Sequence, residues 1–187
     1  MDQAEEIRRA AEAVLNFWFV ETPPEKRFAK DPLLDQAIAE RFSALVDRVG
    51  ASEATGWRDD PRCLLAAIVL LDQFPRNLNR GRAAAFAHDV LARSLTEIAI
   101  AHGWGDAMRP EERQFLYMPL MHSESLADQE RAVAIYDGIG VPEAARFARL
   151  HLDQIARFGR FPGRNDALGR ESTAEEHAFL EQPGSRF

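Results

Sequence analysis

Apolar residues recur along much of the chain at the spacing of an amphipathic helix. Between Pro32 and Gly50, apolar side chains return every three or four positions and form a single stripe on an otherwise polar helix. These are Leu34, Ile38, Phe42, Leu45 and Val49. Asp31 before Pro32 is typical of a helix start, and Gly50 is predicted to end this helix. No stretch alternates apolar and polar residues over the length of a strand, so the pattern predicts helices throughout.

The same reasoning divides the chain into about eight helices. The predicted segments are 3–20, 32–50, 61–73, 86–103, a helix opened by Pro110, 124–139, 142–158 and 173–181. Short loops between such helices favour antiparallel pairs, so we expect an all-α fold, either a layered helical bundle or a short superhelix. A length of 187 residues suits one helical domain over residues 1–187.

Prolines and a capping pattern set several of these boundaries. Pro75 is predicted to end the third helix and to open a loop over 74–82. Pro119 is predicted to interrupt a helix, which places residues 122–124 at a break. Ser172 with Glu175 three residues later predicts a capping box for the last helix.

Charge is distributed unevenly along the chain. The net charge of −7 argues against binding to a nucleic-acid backbone. Residues 76–82 nevertheless hold three arginines and no acidic residue, and residues 157–170 hold four arginines against one aspartate. Two local basic segments on an acidic body suit a small anion better than a long polyanion. An alternative is that the preference for arginine over lysine reflects genomic composition.

Hydropathy and cysteine content bear on the compartment. The longest apolar run, Cys63 to Leu71, is far shorter than the ~20 residues that span a bilayer, so we expect no membrane association. Acidic residues near the N-terminus argue against a secretory signal. A single cysteine inside an apolar run suits a small buried side chain in a reducing compartment. We therefore expect a cytoplasmic protein.

Asp72 is the most informative single residue. The positions three, four and seven residues before it are apolar, so its carboxylate is predicted to project from an apolar face of the helix. A buried carboxylate needs a partner, and Arg76 or an arginine of segment 157–170 is the candidate. Two interpretations stay open. In the first, Asp72 is a buried structural contact that holds the loop in place. In the second, its carboxylate orients an anion-binding arginine or acts as a base.

The loop 159–170 combines glycines, a proline and arginines. Arginine suits bidentate recognition of carboxylate or phosphate, although arginines also cap the carboxyl ends of helices. The loop follows Leu152-Asp153-Gln154, which echoes Leu71-Asp72-Gln73, so the corners near 71–77 and 152–165 are candidates for a pseudo-repeat of two halves. Asp153 itself, four residues from arginines on both sides, is predicted to form solvent-side ion pairs with them.

Histidines offer a second kind of chemistry. His122 beside Glu124 at the predicted break, and His151 one turn before Gln154, are candidates for an acid/base set. The alternative is that both histidines are core residues. A metal site formed by His122, Glu124 and His151 matches no established ligand spacing, so no metal is assigned.

Several motifs resemble a known family. They are Phe17-Trp18-Phe19, Leu71-Asp72-Gln73-Phe74-Pro75-Arg76-Asn77, Phe115 to Glu124, and Arg157 to Pro162 with Arg164-Asn165. In these strings and in their order, the chain resembles the mainly bacterial family called domain of unknown function 924. The resemblance extends from about residue 14 to the C-terminus. The resemblance implies an all-helical, tetratricopeptide-like (TPR-like) α/α superhelix and no established activity. It marks ten motif positions without giving them roles: Asp72, Gln73, Arg76, Asn77, His122, Glu124, His151, Arg160, Arg164 and Asn165.

The chain departs from the usual pattern at Gly163, where many members have histidine, and at Phe28-Ala29, where an aromatic pair is more usual. A mechanism that needs a histidine in that loop is thereby weakened.

Together these observations predict an internal polar pocket where the two arginine-bearing loops meet the break at 122–124. We expect it to bind a small molecule that carries phosphate or carboxylate. The candidate ligand-binding residues are Asp72, Gln73, Arg76, Asn77, Arg160, Arg164 and Asn165, and the candidate catalytic residues are His122, Glu124 and His151. No cofactor is indicated. The alternative is a TPR-like module that binds a protein or peptide and uses the motifs as structural corners.

Overall fold

The computed structural model describes residues 2–185. Met1, Arg186 and Phe187, which belong to the predicted 1–187 domain, lie outside the described residues. The helices are α1 Gln3–Asn16, α2 Pro32–Ala51, α3 Pro61–Ile68, α4 Phe74–Leu78, α5 Asp89–Ala101, α6 Pro110–Met121, α7 Leu126–Ile139, α8 Pro142–Phe158 and α9 Ala174–Leu180. Within residues 2–185 there is no strand, so the all-α prediction is confirmed. No helix in this part of the chain has the length and hydropathy to cross a bilayer.

The central helix is longer than the sequence predicted. A π-helical turn, Val69–Gln73, joins α3 to α4 without interruption, so the prediction that Pro75 ends the helix is wrong. In this turn the Phe74 amide donates to the carbonyl of Val69, five residues back, and the wider turn accommodates a proline that has no N–H. With α3 and α4 counted as one rod, the described chain has the eight helices expected. Asp72 consequently lies inside a helix and not at its C-terminus.

Packing centres on this rod. The helix α1 packs on α3, α2 packs on α4, and α5 and α6 cover the remaining sides of α3. The helices α6, α7 and α8 then pack in sequence, and the connections of a few residues between them reverse the chain direction. Aromatic rings fill the junction of α1, α2 and the rod with centroids 5.0–6.0 Å apart. These rings belong to Phe17, Trp18, Phe42 and Phe74.

Pro119 does not interrupt its helix. It lies inside α6, which continues to Met121, so this prediction is corrected. A helical proline removes one hydrogen bond, here the one that the carbonyl of Phe115 would accept. The hydroxyls of Tyr136 and Thr96 donate to the neighbouring carbonyls of Gln114 and Leu116. Side chains of the neighbouring helices therefore attach to α6 on both sides of the carbonyl that loses its donor.

The predicted break at residues 122–124 is present, and a side chain of α7 contacts it. The buried amide of Gln129 donates to the carbonyls of Leu120, Met121 and Ser123, at and just after the end of α6. This side chain holds the chain as it leaves the helix. No local sequence pattern predicted this contact, because Gln129 belongs to the next helix.

Two further local predictions need correction. Gly50 does not end α2, which runs to Ala51; the imidazole of His88 packs where a Cβ of Gly50 would lie. The capping box of α9 is formed by Thr173 and Glu176, one residue later than predicted, with Thr173 Oγ1 accepting from the Glu176 amide at 3.2 Å. The hydroxyl of Ser172 instead accepts from the amide of Asn165.

Candidate functional site

A buried aspartate and a histidine form the centre of the site. His122 follows the last residue of α6, and its Nδ1 lies 2.8 and 2.9 Å from the two carboxylate oxygens of Asp72 in the π turn. The side chain of Asp72 is 1% exposed and that of His122 is 14% exposed. Because a carboxylate only accepts, Nδ1 carries the ring proton and Nε2 is left as the acceptor atom. The partner of Asp72 is thus mainly a histidine, which the sequence did not predict.

The two arginine-bearing segments meet at one carboxylate, that of Asp89 at the start of α5. Arg76 donates to both oxygens of Asp89 at 2.9 Å, and Arg164 reaches the same carboxylate at 3.3 Å. Arg76 also lies 3.4 Å from Asp72, as predicted, and donates to its main-chain carbonyl. Arg164 donates to the carbonyl of His122 at 2.9 Å. The predicted convergence of the loops is therefore present, and Asp89 fills the space between the arginines.

Aromatic rings cover the guanidinium of Arg164. Its central carbon lies 4.7 Å from the ring centroid of Phe86 and 4.5 Å from that of Phe161. Arg76 also lies over Phe86, at 5.5 Å. Guanidinium groups stack favourably on aromatic faces, and the rings limit the water that reaches the charge. The donors at the edge of Arg164 are left to make the polar contacts.

Burial and charge shift the ionisation of this cluster. Burial opposes the charge of Asp72, but His122 and Arg76 hold its pKa well below the usual range. Burial likewise opposes the charge of Arg76, and the carboxylates of Asp72 and Asp89 outweigh it and raise the pKa. For Arg164, burial and then repulsion by Arg76 lower the pKa to about 10. Burial lowers the pKa of His122 as well, so its imidazole is neutral near pH 7. Two arginines and two aspartates then leave the cluster without net charge.

His151 approaches the same cluster from α8. Its ring centroid lies 6.1 Å from that of His122 and 5.5 Å from the ring of Phe161, and its Nδ1 lies 2.8 Å from the carbonyl of Phe147. Burial, followed by the nearby His122, lowers the pKa of His151 to about 3. The imidazole is consequently neutral at physiological pH and lines the site as an uncharged group.

Glu124 is held beside the cluster by the second basic loop. Its carboxylate accepts from both Nη atoms of Arg170 at 2.8 and 2.9 Å and from the Phe161 amide at 2.8 Å. Burial raises the pKa of Glu124, but these donors outweigh it and lower the pKa overall. Glu124 is thus a fixed carboxylate that positions Phe161 and the loop.

Comparison with known proteins gives the chain a family. A family model described as "Bacterial protein of unknown function (DUF924)" matches residues 14–184. The chain belongs to this family. A solved structure of a protein of unknown function from Agrobacterium tumefaciens is 38% identical, covers 93% of this chain and 98% of its own, and superposes with a TM-score of 0.88. No curated protein matches the chain. The resemblance read from the motifs is confirmed, and DUF924 membership brings no activity with it.

Four of the ten DUF924 motif positions lie at the edge of the cluster or outside it. Gln73 donates to Asp72 and to the sulfur of Met118, so it points toward the core. The other three form separate ties. Asn77 binds Asp35, Arg160 binds Glu176, and Asn165 binds Ser172. In this DUF924 protein these three side chains contact other parts of the chain, and their ligand-binding role stays a prediction. The predicted ion pairs of Asp153 with the arginines on either side are also not formed. Arg149 pairs with Asp137 instead, and Arg157 pairs with Glu175.

Four important residues were missed from the sequence. They are Asp89, Phe86, Phe161 and Gln129. Asp89 begins a helix, and acidic residues at that position are so common that its sequence context gives no other signal. Phe86 belonged to the apolar pattern of a predicted helix, and Phe161 lay in the loop 159–170 without a predicted role. A buried arginine needs a counter-charge, so Asp89 was one of several acidic residues near helix starts that could serve, and nothing singled it out.

Metal-binding groups and cavities also bear on where the candidate site lies. Among residues 2–185, no three histidine, cysteine or acidic side chains are grouped to hold a metal ion, and this includes the set His122, Glu124 and His151. A cavity of about 260 Å³ lies between α8, α9 and residues 182–185. It includes Gln154 but none of the ten motif positions. The candidate site is therefore the partly exposed cluster around Asp72, His122 and Arg164.

Proposed function

We propose that this cluster binds a small molecule carrying a carboxylate or phosphate, and that the Asp72–His122 pair transfers a proton to or from it. The observation that carries the proposal is the pairing of His122 Nδ1 with a buried carboxylate beside a partly exposed arginine. A carboxylate behind a histidine fixes the tautomer and orientation of the ring, which is what general acid–base catalysis requires.

His122 is the proton carrier in this proposal. Within residues 2–185 its Nε2 makes no hydrogen bond, and Nδ1 donates to Asp72. A neutral imidazole in this state accepts a proton at Nε2 from an O–H or N–H group of the ligand or from water. Asp72 stays a carboxylate and stabilises the imidazolium, which later returns the proton. Glu124, a second of the three catalytic candidates, is held by Arg170 and the Phe161 amide and keeps its charge.

Arg164 is the main anion-binding residue. Hydrogen bonds within residues 2–185 use two of its five N–H groups, one to Asp89 and one to the His122 carbonyl. Burial and repulsion by Arg76 lower the pKa of Arg164 although Asp89 opposes them, which supports a role for a further anion at this guanidinium. Asp89 also demonstrates that the space between Arg76 and Arg164 accommodates a carboxylate. A ligand anion either adds to the unused donors of Arg164 or replaces Asp89.

A ligand screen with matched variants tests anion binding. The midpoint of thermal unfolding is measured for wild type, Arg164→Gln and Arg160→Gln against phosphorylated and carboxylated metabolites. Arg160 is the control, because it lies on the same loop but pairs with Glu176. A ligand at 100 times its dissociation constant stabilises by ~2.7 kcal/mol, which shifts the midpoint by several degrees. We expect shifts in wild type and Arg160→Gln and none in Arg164→Gln. Equal shifts in all three, or none in wild type, would refute the proposal.

A second measurement tests the role of His122. Because the cluster has no net charge when His122 is neutral, an arriving anion favours protonation of the imidazole. Calorimetry in two buffers of different ionisation enthalpy, at pH 7.5, should show proton uptake on binding in wild type and a smaller uptake in His122→Asn. Binding without proton uptake in wild type would remove His122 from the mechanism.

The location and the wider architecture are part of the same proposal. We assign the protein to the bacterial cytoplasm, which is supported by the family description and by a buried free thiol at Cys63 whose pKa burial raises to about 11. We also regard the series α6, α7 and α8 as a short TPR-like superhelix, supported by the sequential packing of these helices. Fractionation of the native host tests the first point.

A further inference from the structure

Three exposed apolar side chains belong to residues that are close in the chain to the arginine cluster. Val90 is 83% exposed, Leu126 is 47% exposed and Leu168 is 37% exposed. Large apolar side chains with this much exposure are few among residues 2–185, and the remainder come from segment 20–33. Single exposed apolar residues need no explanation, but three on separate elements that each adjoin a residue of one charged site call for one.

Each of the three is tied to a residue of the site. Val90 follows Asp89, whose carboxylate binds both arginines. Leu168 lies one turn after Arg164, and its amide donates to the Arg164 carbonyl at 3.0 Å. Leu126 begins α7 two residues after Glu124, which binds the Phe161 amide. The contacts that assemble the charged cluster therefore also hold the main chain of these apolar residues near it.

The aromatic rings continue this apolar surface inward. Phe86 is partly exposed and lies over both Arg76 and Arg164, and Phe161 lies over Arg164. With its faces covered by rings, the guanidinium of Arg164 meets an anion at its edge. Whatever is attached to that anion then lies next to the ring of Phe86.

We propose that the ligand is an amphipathic anion, a carboxylate or phosphate monoester attached directly to a hydrocarbon or aromatic group. The charged head binds Arg164, and the apolar group covers Phe86, Val90 and Leu168. This inference rests on the proposed function, since it assigns a substrate class to the same site. Charge complementarity supplies the head group, and the exposed side chains supply the apolar contact.

Matched pairs of simple compounds test this class. Inorganic phosphate is compared with hexyl phosphate, and acetate with hexanoate, by titration calorimetry on the full chain; hexanol supplies the chain without a charge. The variants are Val90→Ser and Leu168→Ser, with Val20→Ser as the control. Val20 is 74% exposed in the turn after α1, beside Arg62 and Arg109. All three positions are exposed, so the variants are expected to fold, which their unfolding midpoints verify.

We expect the six-carbon compounds to bind at least tenfold more tightly than the bare anions, since each buried methylene contributes up to about fourfold. Val90→Ser and Leu168→Ser should remove most of this gain, and Val20→Ser should keep it. If the bare anions bind but the chain adds nothing, or if the gain survives at Val90 and Leu168, the substrate class is wrong while anion binding stands. If hexanol binds as well as hexanoate and no bare anion binds, the proposed anion site itself fails.

Discussion

Replacing His151 by asparagine should remove part of the acid sensitivity of the fold. The imidazole is buried in the folded chain, where burial lowers its pKa to about 3, whereas an unfolded histidine titrates near about pH 6.5. Between these values the unfolded chain binds a proton that the folded chain does not. The free energy of unfolding therefore falls as the pH is lowered through this window.

The magnitude follows from the two pKa values. At pH 4.5 an unfolded histidine gains ~2.7 kcal/mol from protonation, while the folded His151 gains almost nothing. Wild type should thus lose about 2.7 kcal/mol more stability than His151→Asn between pH 7.5 and pH 4.5. Asparagine retains a donor near the Nδ1 position that contacts the Phe147 carbonyl, so a constant loss from the substitution appears at both pH values and cancels.

Urea unfolding at the two pH values measures this difference. His102→Asn, at an exposed position after α5, is the control and should show the wild-type pH dependence. The carboxylates titrate mostly below this window and are the same in all three proteins. If wild type and His151→Asn lose equal stability between the two pH values, the buried neutral imidazole is not part of the folded state and the reasoning is refuted.

Three other substitutions probe separate parts of the structure. Gly105→Ala should lower the free energy of unfolding by about 1–3 kcal/mol in urea, because the hydroxyl of Tyr117 occupies the space of the new Cβ. Gly163→Ala is the control and should change stability little, since the space there is open. Asp60→Ala should cost about 1 kcal/mol in the same assay, because Asp60 accepts from two amides at the start of α3; no loss would show that the cap contributes nothing. Asp89→Asn leaves two arginines without their shared carboxylate, so it should lower the free energy of unfolding by about 1–3 kcal/mol. For the same reason it should tighten phosphate binding in calorimetry, and weaker phosphate binding would contradict the proposed site.

Several features of the candidate site were accessible from the sequence. The apolar face around Asp72 correctly indicated that its carboxylate is buried and needs partners. The two arginine-rich segments correctly indicated that Arg76 and Arg164 belong together. Asn77, Arg160 and Asn165 lie in the same motifs but form separate ties. Membership of a motif therefore did not show which side chains reach the cluster.

The family and the helical class followed from the sequence by itself. Helices are stabilised by contacts between residues three or four apart, so the spacing of apolar residues in α2 and the Asp-Pro starts of α2 and α3 were sufficient to predict them. The same locality explains the errors at Pro75 and Pro119. Prolines do end helices in isolation, but the helix at Pro75 continues from a π turn, and α6 continues past Pro119 where it packs against α5 and α7.

Only the tertiary structure decided the chemistry of the site. The pairs Asp72–His122, Arg164–Asp89 and Gln129 with the end of α6 join residues that are far apart in sequence or on different helices. Their formation depends on how the helices pack, which is governed by the fit of many side chains at once and leaves no periodic signal. The ionisation states follow from the same packing, because burial and the nearest charge set the pKa of His122 and Arg164.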